Sequence, residues 1–226
     1  AALDADFLLT AHQQNDQAET LLLQLLRGAG PKGLSAMAEL QRRSGWRAAH
    51  LRPLLEVTRA DLLGYARWHA LNWVDDESNR DTRYRRNALR QDVMPLLAAH
   101  FPGSSATLAR AAALQAEAAE LLDDLARLDA VDAIEGERLD CMTLANLSLP
   151  RARNLLRHFI EQQGHPLPNA RQLNEALHQL LQAKSDARVC VRLGPLGMWR
   201  FRGGAYLVPL PPTAAGPVRW QGEAAL

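Results

Sequence analysis

The sequence predicts an α/β unit followed by a mainly α-helical unit that closes on a small antiparallel β meander. Three observations carry that expectation. The apolar run from Leu3 to Ala11 feeds a polar stretch and then leucines at helical spacing, the order of strand, loop and helix in α/β folds. Beyond Phe101-Pro102-Gly103-Ser104 the apolar residues recur at the spacing of amphipathic helices. From Val189 to Val208, short apolar runs are punctuated by Gly194-Pro195 and Gly203-Gly204, as hairpin turns require. The 226 residues, 47% hydrophobic and 23% charged, suffice to bury a core. They divide at residues 1–102, 103–210 and a Pro-, Ala- and Gly-rich linker, 211–226.

Taken in order, Leu3 to Ala11 suits a buried strand that delivers the chain to polar His12–Asn15. Leu21, Leu22, Leu25 and Leu26 place a helix over Asp16–Arg27, with Asn15 or Asp16 as cap and Gly28-Ala29-Gly30-Pro31 as stop. A loop holding Gly33 and Leu34 follows, then Leu51-Arg52-Pro53-Leu54-Leu55 and a second helix capped by Thr58 with Asp61 three residues on. Leu71–Val74 reads as extended, Asp75–Tyr84 as a polar loop, and Arg86–His100 as a helix that Pro95 bends or restarts. Leu108, Ala111, Leu114, Ala118, Leu121, Leu125 and Leu128 form the stripe of a long helix. Ser148 and Pro150 open another, bearing Leu155, Leu156, Phe159 and Ile160. A third, starting at Asn169, presents Leu173, Leu177, Leu180 and Leu181.

Basic and acidic residues nearly cancel, 26 against 25, so bulk charge does not announce a nucleic-acid partner. Any basic footprint is local. Arg80, Arg83, Arg85, Arg86 and Arg90 supply one against a single acid, Asp81, and Arg86 and Arg90 share a helix face. Such a strip serves phosphate contacts or simply a solvated helix face. Arg151, Arg153 and Arg157 make a second, weaker strip. Cys141 and Cys190 are the only cysteines, and no signal peptide or membrane-length apolar run is present, so a reducing cytoplasm and buried thiols are expected.

The segment with most chemistry is His12 to Thr20, polar groups gathered where a strand hands over to a helix, the place where open α/β sheets bind ligands. Asp16 and Glu19 are three apart on one helix face and can hold an ammonium group or a metal ion; equally, Asp16 can cap the helix with Glu19 reaching back to it. His12 can donate to a phosphate or accept a proton.

Ala11-His12 and Asp16-Gln17-Ala18-Glu19-Thr20, followed by Leu-Leu-x-x-Leu-Leu-Arg27-Gly28-x-Gly30-x-x-Gly33-Leu34, resemble the second signature of the lysidine synthetases. These belong to the PP-loop ATP pyrophosphatases. The resemblance continues through Arg52-Pro53-Leu54-Leu55, through Trp73 to Asp76, Ser78 and Asn79, and through Arg86-Asn87-Ala88-Leu89-Arg90, in the family's order and spacing. It implies that the first unit is part of a Rossmann-like PP-loop domain and the second a substrate- and tRNA-binding domain.

The implied reaction adenylates the wobble cytidine of tRNA(Ile) bearing a CAU anticodon and lets the ε-amine of free L-lysine displace AMP. ATP and Mg2+ are the implied cofactors; a homodimer is compatible and a membrane partner is not implied. By position, His12, Asp16 and Glu19 match the family's catalytic group. Arg27, Gly28, Gly30, Gly33 and Arg52 match segments shaping the substrate pocket, and Arg83, Arg86, Asn87 and Arg90 match a tRNA-binding segment. Asp76, Ser78 and Asn79 cap a turn or take a direct role; no metal ligand is assigned.

Two departures qualify the match. Asn15 and Gln13 stand where the family usually carries Asp and His, which weakens a metal-binding doublet and leaves Asp16 as the functional carboxylate. The Ser-Gly-Gly-x-Asp-Ser phosphate loop does not occur in these residues. It is expected upstream of His12 in a longer parent, as is a further C-terminal domain, and the chain by itself is expected not to transfer from ATP. Two other readings remain: a tRNA base-thiolating PP-loop enzyme, disfavoured by the absence of Cys-x-x-Cys, and a non-catalytic tRNA-binding module.

Overall fold

The structure, a computed structural model, describes residues 5–42, 45–74, 78, 81–182 and 189–210. Asp76, Asn79, Arg80 and the expected linker fall outside them. Two compact units are formed, residues 1–120 and 121–226.

In the first unit, β1 (Phe7–Leu9) pairs in parallel with β3 (Ala49–Leu51), and β2 (Leu40–Gln41) pairs with β3 antiparallel, giving the order β1-β3-β2. The strand expected over Leu3–Ala11 is therefore shorter, and it is not buried: Phe7, Leu8 and Leu9 are 45–61% exposed. β1 lies at the edge of this sheet, so among the described residues only one side of it is paired.

Helix α1 (Gln14–Leu25) starts two residues before the expected first turn. Its cap is Gln13, whose Oε1 accepts from the Asn15 N–H at 2.8 Å, while Asp16 Oδ2 accepts from the Gln13 N–H at 3.0 Å. The capping box thus exists one turn earlier than expected, with Asp16 as its returning acid, and Glu19 takes no part in it. Gly28, at φ 72°, ends the helix as expected. Pro31 then opens a single turn, α2 (Pro31–Leu34), where the sequence reads as a loop.

The second predicted helix is present as α3 (Arg59–Trp68), with the Thr58 and Asp61 box in place. The stretch up to His100 is one helical path in three parts: α4 (Arg85–Ala88), a π turn (Leu89–Val93) and α5 (Met94–His100). Pro95 lacks an N–H and its ring crowds the carbonyl four residues back. The wider π turn just before it absorbs both demands, and regular α-helix restarts at Met94 with Pro95 in its first turn, as expected. A small core of Ala18, Leu89 and Met94, flanked by Leu22, Leu23, Leu97 and Leu108, packs this path against α1.

Helix α6 (Ser104–Ala133) is the long helix, but the expected stripe is not its buried face. Ala112, Ala126, Asp129 and Ala133 are buried, whereas Leu114, Leu121 and Leu128 are 60–71% exposed. In an alanine-rich helix two faces read as apolar, and close packing selects the smaller residues.

The second unit holds α7 (Cys141–Asn146), α8 (Leu149–Gln162) and α9 (Ala170–Gln182) with a five-stranded sheet, β4-β5-β8-β7-β6. The expected apolar faces are the buried ones: Leu155, Leu156, Phe159 and Ile160 on α8, and Leu173, Leu177 and Leu180 on α9, close on Leu139, Leu144, Met198 and Ala205. The meander β6 (Val189–Leu193), β7 (Leu196–Phe201), β8 (Gly204–Pro209) is antiparallel throughout. Its β7–β8 turn is Arg202-Gly203, both at positive φ, the twist that two-residue hairpins favour. The hairpin β4 (Ile134–Glu135) and β5 (Arg138–Asp140) was not legible, being two short strands rich in charge. Of the two cysteines, Cys141 is buried and Cys190 is exposed, so burial holds for one only.

Candidate functional site

The capping box fixes the first turn of α1 and leaves Asp16 and Glu19 side by side on the face that α4 and the π turn approach. Glu19 is buried, with 3% of its side chain exposed, and Asp16 retains 12%. Two charges at such depth need partners. Arg90 supplies three contacts: Nε to Glu19 Oε1 at 2.6 Å, and Nη2 to Glu19 Oε2 at 2.8 Å and to Asp16 Oδ1 at 2.9 Å. Arg86 supplies two: Nε to Glu19 Oε2 at 3.0 Å and Nη2 to Asp16 Oδ1 at 2.8 Å. Arg86 and Arg90 do share a helix face as expected, but that face turns inward to the carboxylates. The hydrogen bond to Glu19, chiefly, holds the Arg90 guanidinium still further toward its charged form.

This cluster of two acids and two bases is neutral overall, and it carries hydrogen-bond donors and acceptors within one site. Beside it opens a cavity of 420 Å³ to which Asp16 and Arg90 contribute, with Leu62, Leu63, Leu71 and Trp73 as apolar wall. The half-buried apolar side of α3 thereby faces a space that a few polar groups also line, the usual composition of a ligand pocket.

His12 lies just past β1, half-buried. Its pKa is lowered, first by burial and then by the Arg52 and Arg86 charges, against the opposing pull of Asp16. Asn15, where the resemblance leads one to expect Asp, uses both ends of its amide: Oδ1 accepts from the Arg59 N–H at 3.2 Å and Nδ2 donates to Ser105 Oγ at 3.4 Å. A carboxylate could keep the second contact only by accepting the serine's own proton, whereas the amide donates to it.

Other expected site residues lie elsewhere. Arg27, Gly28 and Gly30 follow the far end of α1, whose last residue, Leu25, lies about 14 Å along the helix axis from Asp16. Arg27 lines a separate 390 Å³ cavity with Arg85 and Asp92. Gly33 sits within α2, where an added Cβ would stand 2.7 Å from Ala29 Cβ. Arg52 is buried, donating from Nη1 to the Ala38 carbonyl at 2.7 Å and from Nη2 to His50 and Gln41. Asn87 donates to the Ser78 and Asp81 carbonyls at 2.9 and 3.0 Å, which ties down the preceding loop. Arg83 grips Asp81 with its side chain 89% exposed. In the second unit, Arg151 pairs with Asp129 and Arg153 donates to Asn174, while Arg157, one turn on from Arg153 in α8, is held below its ordinary pKa first by burial and then by the Arg153 charge.

Sequence reasoning missed three contributors. Thr10 and His50 bond one another, and Gln17 exchanges two hydrogen bonds with the Met37 backbone, at 2.7 and 2.9 Å, locking the loop after α2 to α1. The strand alternation around β3 carried the signal for His50, since it places His50 and Arg52 on one face.

Comparison with known families matches a PP-loop domain over residues 1–97 and a TilS substrate binding domain over residues 139–206. The chain is 43% identical over 224 residues to the tRNA(Ile)-lysidine synthase of Nitrosomonas europaea, covering 98% of this chain and 49% of that protein. It is 46% identical over 217 residues to that of Ralstonia nicotianae, 96% and 46% respectively, and 43% identical over 225 residues to that of an Azoarcus species, 100% and 50%. The chain spans about half the length of these curated relatives. No helix among the described residues is long and apolar enough to cross a membrane. Two domain matches in order, and close relatives sharing one name, place the chain in the tRNA(Ile)-lysidine synthase family.

Proposed function

We propose that this chain forms part of an enzyme that joins L-lysine to the wobble cytidine of tRNA(Ile) with a CAU anticodon, in the cytoplasm, using ATP. The observation that supports this best is the Asp16, Glu19, Arg86 and Arg90 cluster, whose Asp16 and Arg90 line a 420 Å³ cavity, within a chain whose relatives are named tRNA(Ile)-lysidine synthase.

In this reading Asp16 receives the ammonium of lysine. Its Oδ1 already accepts from both guanidiniums, so the incoming ammonium competes for an oxygen whose position is fixed in advance. Glu19 balances Arg86 and Arg90 and keeps that oxygen in place. The apolar wall with Trp73 accommodates the base or the aliphatic stem of lysine. Arg83, exposed beside the cluster's helix, contacts tRNA phosphate, whereas Arg86 and Arg90 serve mainly as positioning groups.

The residues present do not by themselves fit the phosphates of ATP or a magnesium ion. The phosphate loop motif is not in the sequence. Among the described residues no group of three His, Cys, Asp or Glu side chains converges as a metal site requires. No step is therefore assigned to either.

The test is incorporation of labelled lysine into a tRNA(Ile) transcript by the parent protein that contains this chain. Asp16→Asn is expected to lower kcat/KM by about 100-fold or more; an unchanged value removes Asp16 from the site. The exposed Arg83 guanidinium supports one competing reading, a non-catalytic tRNA-binding module. Salt-dependent tRNA binding that survives Asp16→Ala with Glu19→Ala, without any lysine incorporation by the unsubstituted parent, would establish it instead.

A further inference from the structure

Four side chains at the ends of two parallel strands are joined in one line. β1 and β3 pair with Leu8 opposite His50 and Leu9 opposite Leu51, and the Thr10 N–H continues the ladder to the Leu51 carbonyl at 3.1 Å. Residues two apart share a strand face, so Thr10 and His12 meet His50 and Arg52. Arg52 Nη2 lies 3.0 Å from His50 Nδ1, His50 Nε2 lies 2.8 Å from Thr10 Oγ1, and Thr10 Oγ1 lies 2.8 Å from His12 Nδ1.

The chemistry of the groups gives this line a direction. A guanidinium only donates, so His50 Nδ1 must accept, and a neutral imidazole then carries its proton on Nε2. That Nε2–H donates to Thr10 Oγ1. The hydroxyl has one proton of its own and directs it at His12 Nδ1, which accepts. His12 must then hold its proton on Nε2.

We propose that Arg52, His50 and Thr10 form a tautomer relay that fixes His12 as a neutral Nε2–H donor toward an acceptor oxygen of the substrate, rather than as a base that takes the substrate's proton. The proposal rests on the resemblance that groups His12 with Asp16 and Glu19 as catalytic residues, and deepens the proposed function by giving His12 a role in it. Burial and the Arg52 and Arg86 charges also disfavour a second proton on the ring. Arg52, His50 and Thr10 are positioning residues, since none needs to touch the substrate.

Two measurements test it separately from the lysine-transfer reading. Long-range 15N–1H spectra of the 226-residue chain, with His12 assigned by its loss in His12→Asn, should show Nε2 protonated and Nδ1 bare near neutral pH. Thr10→Val, which keeps the side-chain shape but removes the hydroxyl, should convert that pattern to a tautomer mixture, and Thr10→Ser should restore it. The resonances of the other histidines report whether each variant is folded. Protonation at Nδ1, or a pattern untouched by Thr10→Val, overturns the relay whatever the activity.

In the parent protein, Thr10→Val should lower kcat/KM for lysine incorporation by about tenfold, the scale on which lost partners of a functional histidine act, with Thr10→Ser near the unsubstituted value. A changed tautomer with unchanged kcat/KM overturns the donor role. An intact relay in a parent that transfers no lysine overturns the proposed function and leaves the relay standing.

Discussion

Replacing Arg90 with methionine removes three contacts at once, two to Glu19 and one to Asp16, while keeping an aliphatic side chain of comparable length. Removing one partner of a buried ion pair costs about 3–5 kcal/mol when the charge left behind has no substitute. Two features reduce the figure here. Arg90 is itself 30% exposed, so part of its interaction is screened, and Arg86 still reaches Glu19 Oε2 and Asp16 Oδ1 at 3.0 and 2.8 Å. The expected loss is about 2–3 kcal/mol. With a urea dependence of about 2 kcal/mol per molar for a unit of this size, the midpoint falls by about 1 M. Trp46, Trp68 and Trp73 lie in residues 1–120 and Trp199 and Trp220 in residues 121–226, so the measurement is made with Trp199→Phe and Trp220→Phe in the background, where tryptophan fluorescence reports the first unit. Adding Glu19→Gln removes the uncompensated charge, and the double variant should recover at least about 1 kcal/mol relative to additivity. A midpoint shift below about 0.2 M for Arg90→Met, or strict additivity in the double variant, would refute the view that these charges compensate one another.

Other expectations concern different parts of the molecule. Phe159→Ala, at a fully buried position of α8, should destabilise the second unit by about 3–5 kcal/mol in thermal or urea unfolding. Asp140 caps α7 through the Thr143 N–H at 2.8 Å, and this bond first, then those from the Thr143 hydroxyl and Arg138, lowers its pKa below the ordinary carboxylate value. The stabilisation is therefore complete above the unfolded pKa of about 3.9 and is lost as pH falls through the folded value. Asp140→Ala should cost about 1 kcal/mol at neutral pH and flatten this acid limb of the stability profile. Arg83→Ala should leave unfolding unchanged but weaken tRNA binding, reducing the slope of log affinity against log salt by about 0.9 if Arg83 meets one phosphate; an unaltered slope removes Arg83 from the interface.

What could be read in advance follows from how local each signal is. The Thr58 and Asp61 box, the Gly28 stop and the leucine faces of α8 and α9 are set by residues within a turn or two of one another, and each stands where the spacing puts it. The pairing of Asp16 and Glu19 with Arg86 and Arg90 spans 67–74 positions, and no local rule selects it over a solvated basic strip. The face of α6 was misjudged because leucine and alanine are both apolar. Only tertiary contact decides that Ala112 and Ala126 go inside while Leu114 and Leu121 stay out. His50 belonged to no motif. Alternation in β3 put it on one face with Arg52, and parallel pairing then set it opposite Leu8.

The π turn at Leu89–Val93 acts as a spacer of fixed count. Each residue of an α-helix turns the chain by about 100° and advances it by about 1.5 Å. Deleting one residue from that turn would restore ordinary α-helical winding and swing Arg86 about a quarter-turn relative to Met94, which the core with Ala18 holds in place. The extra residue therefore reconciles two alignments that a regular helix cannot satisfy together: arginines aimed at the carboxylates, and Met94 aimed at the core. An insertion or deletion here should be far less tolerated than a conservative substitution within the turn.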